Sequence, residues 1–162
     1  MGGRVTEPDQ YETDETSGDG CTVGAARTHE VLSRNLPAVS ASVPRIRAAV
    51  AAFAADVGAQ PSVLEGVALA VSEAATNVVV HAYTEARGSG PIHVDAWVDG
   101  GELRVSVADA GPGLRGRHDS PGLGLGLAII GELAEEVELL PGDNGGLRVL
   151  MHFALPTKRP ST

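Results

Sequence analysis

Cysteine, aromatic residues and positive charge are all scarce in this chain, and each scarcity removes a class of protein. Cys21 is the only cysteine among 162 residues, which excludes an intrachain disulfide and any metal site built from cysteines. Aromatics make up 3%, so the core has to come from Ala, Val and Leu. Lys and Arg number 12 against 21 Asp and Glu, a formal net charge of -9. Phosphate backbones and anionic lipid surfaces attract basic patches, so no direct nucleic-acid or membrane-surface binding is expected. Long apolar runs are missing as well. The longest, Ala48 to Ala55, has eight residues, against the ~20 that cross a bilayer. The start, Met1-Gly2-Gly3-Arg4, lacks the apolar stretch of a secretion signal. A cytoplasmic protein without membrane spans is the expectation.

What is present fits one globular domain: 43% hydrophobic and 20% charged residues. The acidity is local. Residues 1 to 30 hold seven acids and two bases, so -5 of the -9 lies there. With few apolar residues, such a segment cannot offset the entropy of ordering. Residues 1–35 are therefore expected to be a disordered acidic tail, 36–156 the domain, and 157–162 a short polar C-terminal tail.

Within the domain, Leu36–Val43 reads as a short edge strand and Pro44–Val57 as a helix, with Ile46, Val50, Phe53 and Val57 at helical spacing. Ser62-Val63-Leu64-Glu65 has the form of a capping box before a helix that stays apolar or small through Tyr83, the pattern of a central helix. Pro91–Val98 and Leu103–Val107 alternate as strands around Asp99-Gly100-Gly101, a hairpin signal. A third helix is expected from about Gly124–Gly126 through Val137, then strands at Glu136–Leu140 and Leu147–Leu155. The sum is an α+β fold, a two-layer sandwich with a mostly antiparallel, mixed sheet and its helices on one face. His93, Asp95 and Trp97 fall on the strand face away from those helices, a partner or dimer surface or a locally packed tryptophan.

Three stretches can carry chemistry. In Val105-Ser106-Val107-Ala108-Asp109-Ala110-Gly111-Pro112-Gly113 a strand delivers a carboxylate at its end, on the parity of its apolar face, and opens into a glycine turn. A buried carboxylate needs donors, so Asp109 either caps local backbone N–H groups or meets a donor on a ligand. Glu73 and Asn77 lie one turn apart on the central helix, on a stripe with Leu69 and Val80. Such a pair serves as general base and Mg²⁺ ligand, or else bonds to neighbouring groups. His81, a turn further on, reads as a packed histidine. Gly122-Leu123-Gly124-Leu125-Gly126-Leu127 runs into a helix, where exposed N–H groups suit phosphate. Between the two glycine stretches, Arg115 and Arg117 lie on a short loop that reads as a cover over an anionic ligand or as a solvated loop.

In combination and order these stretches resemble the Bergerat-fold (GHKL) ATPases, the superfamily of gyrase and the histidine kinases. Glu73 and Asn77 match its N box, Asp109-Ala110-Gly111-Pro112-Gly113 its Asp-x-Gly-x-Gly box, and Gly122 to Leu127 its second glycine box. Ala70 to Asn77 with His81-Ala82-Tyr83, and the short lid, look like the anti-sigma-factor serine/threonine kinases. The resemblance covers residues 36 to 155. It implies that Asp109 accepts a hydrogen bond from the adenine amino group, that Asn77 holds Mg²⁺ on ATP, and that Glu73 is the base. It implies further that Gly111 and Gly113 admit the nucleotide, while Gly122, Leu123, Gly124, Leu125, Gly126 and Leu127 supply the phosphate-contacting segment. The function it implies is an ATP-dependent kinase that phosphorylates an anti-anti-sigma (STAS-domain) protein and sequesters a sigma factor; a homodimer is a further expectation. One departure stands out: the family's last strand usually begins Gly-Thr, and here Gly146 is followed by Leu147. The alternatives are a non-catalytic ATP-binding partner-switching module and, from Thr28-His29-Glu30, a histidine-kinase-type catalytic domain.

Overall fold

The computed structural model describes residues 31–83, 90–113, 123–143 and 145–156. In chain order the elements are β1 (Val31–Pro37), α1 (Ser42–Asp56), α2 (Pro61–Asn77) with a π-helical turn (Val78–Ala82), β2 (Pro91–Asp99), β3 (Glu102–Asp109), α3 (Leu123–Leu133), β4 (Glu136–Pro141) and β5 (Leu147–Ala154). One sheet of order β1-β2-β3-β5-β4 joins the strands, and each of these pairings is antiparallel rather than mixed.

Period-two alternation builds the inner sheet face. Ile92, Val94 and Ala96 of β2, Leu103, Val105 and Val107 of β3, and Val149, Met151 and Phe153 of β5 are all buried there. Over them lie Ile46, Val50 and Ala54 of α1, Val67, Ala70, Val71, Ala74 and Ala75 of α2, and Ile130 of α3. α2 packs against both other helices and against β3 and β5, and its alanines let the backbones come close. By length and composition the 22-residue helix Pro61–Ala82 is apolar enough to cross a bilayer. Its packing in the middle of the helical layer accounts for that composition. The β2–β3 hairpin closes through Gly100 (φ 61°) and Gly101 (φ 87°), a two-residue loop whose two left-handed residues match the twist of the strands.

Three boundaries differ from the sequence reading. The first strand occupies Val31–Pro37, not Leu36–Val43, so residues 31–35 belong to the sheet rather than to a tail. As an edge strand it buries only Leu32 and Leu36, with exposed Arg34 between them, and that is too little alternation to read. Pro37 ends it opposite Pro91, two residues without an N–H to extend the ladder. α2 begins at Pro61 behind Gln60, with no side-chain cap, so Ser62 lies inside the helix and the capping box does not form. Proline's fixed φ favours that first helical position. α3 stops at Leu133, and Val137 lies in β4. Residues 1–30 and 157–162, the remaining tail assignments, lie outside the described residues.

The face turned from the helices carries Ser33, Asp95, Ser106, Leu150 and Glu138 in one cross-strand row, and Val31, Trp97, Arg104, His152 and Glu136 in the next. Trp97 is half-buried there. His152 is buried between Glu102, 3.5 Å from Nδ1, and Glu138, 3.2 Å from Nε2.

Candidate functional site

Asp109 closes β3 and is 3% exposed. Its Oδ1 accepts the Gly111 N–H at 2.8 Å and the Leu147 N–H at 3.4 Å, so the carboxylate ties its own turn to the first residue of β5. The backbone crowds it on two sides. A Cβ on Gly111 would overlap the Ala82 carbonyl oxygen, and one on Gly146 would overlap the Asp109 carbonyl and stand 2.7 Å from Oδ1. Gly113 has φ 70°, which a side chain would strain.

Tyr83 holds this end together. Its hydroxyl donates to the Pro91 carbonyl at 2.6 Å and accepts the Ala110 N–H at 2.9 Å, linking the end of the π turn to β2 and to the residue after Asp109. In the sequence Tyr83 stands out only as the end of the apolar central helix and as part of the N-box match. Its partners are backbone atoms, one of them 27 residues away, and a linear pattern does not reveal them. The same holds for Gly146, which the sequence marks only as the residue before Leu147.

On the α2 stripe, Asn77 is 7% exposed and Glu73 half-buried. The Asn77 Nδ2 is buried without a hydrogen-bond partner among the described residues. A buried amide donor in that state costs on the order of 1–3 kcal/mol, a cost that functional sites tolerate when a ligand completes them. Gly126, in the first turns of α3, lies against the pair. A Cβ there would overlap Glu73 Oε1 and stand 2.9 Å from Asn77 Nδ2 and 3.1 Å from its Oδ1. The amide-rich start of an 11-residue helix, the end that favours negative charge, therefore adjoins the carboxylate and amide of α2. Gly124 and Leu125 are exposed, and Leu127 packs partly against the core. Arg115, Arg117 and Gly122 lie outside the described residues, as does the side chain of Leu123.

Leu147 is 3% exposed and sits in the core cluster, while its N–H still serves Asp109. A depression of about 200 Å³ on the outer sheet face, lined by Ser33, Asp95, Asp143 and Arg148 among others, reaches Asp109 from behind. We place the candidate site on the helix side instead, where the unpartnered amide, the carboxylate and the glycine approaches converge.

The family described as "Histidine kinase-like ATPase domain" matches residues 36–153, and the chain belongs to it: the two-layer sandwich is that of an ATPase-type domain. It is 31% identical over 137 residues to the serine-protein kinase RsbW of Bacillus mycoides strain KBAB4, covering 75% of this chain and 83% of that protein. It is 31% identical over 128 residues to an anti-sigma F factor of Heyndrickxia coagulans, covering 70% and 85%. Among solved structures it resembles the RsbU and RsbW domains of a Mycobacterium tuberculosis protein, with TM-score 0.61 and 28% identity over 78% of this chain. This chain spans about a third (32%) of that one.

Proposed function

We propose that this chain is an ATP-dependent serine/threonine protein kinase and anti-sigma factor, which phosphorylates an anti-anti-sigma (STAS-domain) protein and sequesters a sigma factor in the cytoplasm. The observation that carries the reading is the buried, unpartnered Asn77 amide beside Glu73 and Gly126. The residues fit Mg²⁺ and ATP. Among the described residues no three His, Cys, Asp or Glu side chains cluster to hold a metal, and Mg²⁺ ordinarily takes one or two protein oxygens and completes its shell with phosphate and water. When bound, Mg-ATP supplies the phosphoryl group for transfer.

In this reading Asn77 offers Oδ1 to the cation, and its amide N–H group gains a partner. Asp109 accepts a hydrogen bond from the adenine amino group while Gly111 and Leu147 hold its carboxylate in place. Gly111 and Gly113 leave room for the nucleoside. The segment Gly122, Leu123, Gly124, Leu125, Gly126 and Leu127 would receive phosphate at the start of α3, through the N–H groups of the first turn that have no acceptor within the helix, and Arg115 and Arg117 are added from their sequence position. Glu73 takes the proton from the acceptor hydroxyl. Positioning and charge neutralisation are what phosphoryl transfer demands of a protein, and no covalent intermediate is needed. The relatives' names, serine-protein kinase and anti-sigma factor, support the reading.

Leu147 favours a second reading, a non-catalytic ATP-binding partner-switching module, because the core takes up the side chain where a hydroxyl would contact the nucleotide. Incubation with γ-labelled ATP and Mg²⁺ in lysate of the source organism separates the two. Acid-stable label on a second protein, absent with Glu73→Ala although that variant still binds ATP, is the kinase outcome. ATP binding without transfer by the wild type gives the module.

A further inference from the structure

Exposed leucines are costly in water, and two of them bracket Glu73. Leu69, one turn before it on α2, is 52% exposed, and Leu125, next to the Gly126 that touches Glu73, is 71% exposed. Their position relative to the nucleotide end is fixed by the fold. Gly111, whose N–H the Asp109 carboxylate accepts, meets Ala82 at the end of the π turn that follows α2, so the stripe of Asn77, Glu73 and Leu69 runs away from the Asp109 end. Leu69 therefore lies beyond the proposed base, on the side from which a second substrate has to arrive. Four residues of helix rise about 6 Å, which sets the distance along the helix from Glu73 to Leu69.

We propose that Leu69 and Leu125 form an apolar seat for the acceptor segment of the protein substrate, a segment with an apolar side chain about 6 Å from its acceptor hydroxyl. In an extended segment that is two residues from the acceptor, on the same side of the chain. The seat rests on the serine-kinase reading. It follows from the requirement that the hydroxyl come within hydrogen-bond distance of Glu73, because whatever carries it then passes over the residues flanking that carboxylate. An apolar contact there orients the hydroxyl without adding charge beside the phosphates.

The test uses the full chain and the phosphoacceptor that γ-labelling identifies. Leu69→Ser is expected to raise KM for that acceptor about tenfold while leaving the Kd of Mg-ATP within about twofold, and Leu69→Met restores the wild-type KM. Replacing the acceptor's apolar residue with Ala raises KM alike, and the two changes together cost less than their sum, as contacting partners do. A KM within twofold of wild type for Leu69→Ser overturns the seat. So does an unchanged KM with a shift in sedimentation, which would assign Leu69 to contact with a second copy. Failure of the wild type to transfer label to any protein fails the kinase reading itself, and the seat with it.

Discussion

Tyr83 is the residue on which the two halves of the site depend mechanically. Its hydroxyl serves a backbone carbonyl of β2 and the N–H that follows Asp109. Tyr83→Phe removes both bonds and leaves part-buried backbone groups short of partners, a loss of about 1–3 kcal/mol. Urea unfolding should show that loss, and titration should show ATP affinity reduced about tenfold as the Asp109 turn loosens. Gly126 is the other sensitive position. Adding a methyl group drives it into the Glu73 carboxylate, so Gly126→Ala is expected to displace the base and cut phosphoryl transfer about a hundredfold. It should also destabilise the fold by about 1–3 kcal/mol, as overpacking does. Initial rates of label transfer and a urea curve check the two effects.

At the scale of elements, what was legible in the sequence depended on how local its cause was. The β2–β3 hairpin was readable because Gly100 and Gly101 are adjacent and their left-handed φ values are a property of that dipeptide. β5 was readable because Leu147, Val149, Met151 and Phe153 alternate. β1 was not, since an edge strand with exposed Arg34 between Leu32 and Leu36 owes its place to pairing with β2. The α2 start was misread because Ser62-to-Glu65 chemistry lost to the backbone preset of Pro61. The three stretches read as motifs in the sequence, but the contacts that bring them together, Gly126 on Glu73 and Gly111 on Ala82, join residues 53 and 29 positions apart (126 − 73 and 111 − 82). The hairpin itself permits a control. Gly101→Ala strains a φ of 87° and should cost about 1–2 kcal/mol in a urea curve. ATP affinity should be unchanged, because that loop lies at the end of β3 opposite Asp109.

For the molecule as a whole, the division of labour follows the layers. Inner sheet face and helices make the core. The candidate site lies where the start of α3 and the end of β3 each adjoin α2 and its π turn, so a rigid scaffold positions groups that lie on turns and helix ends. The outer sheet face, with its polar rows around His152 and Trp97, stays outside this arrangement. The family relationship covers the scaffold and the site edge together, residues 36–153.

Asp109 is proposed to mark a nucleotide site on the helix side of the sheet, and calorimetric titration of Mg-ATP into the wild type and Asp109→Asn puts this to the test. Asparagine keeps an oxygen for the Gly111 and Leu147 N–H groups, so the variant should still unfold cooperatively, yet it replaces a charged acceptor with an amide that can set a donor against a donor. The wild type should bind, and the variant's affinity should be at least about 30-fold weaker. Equal affinity in the two proteins would contradict a nucleotide site at Asp109.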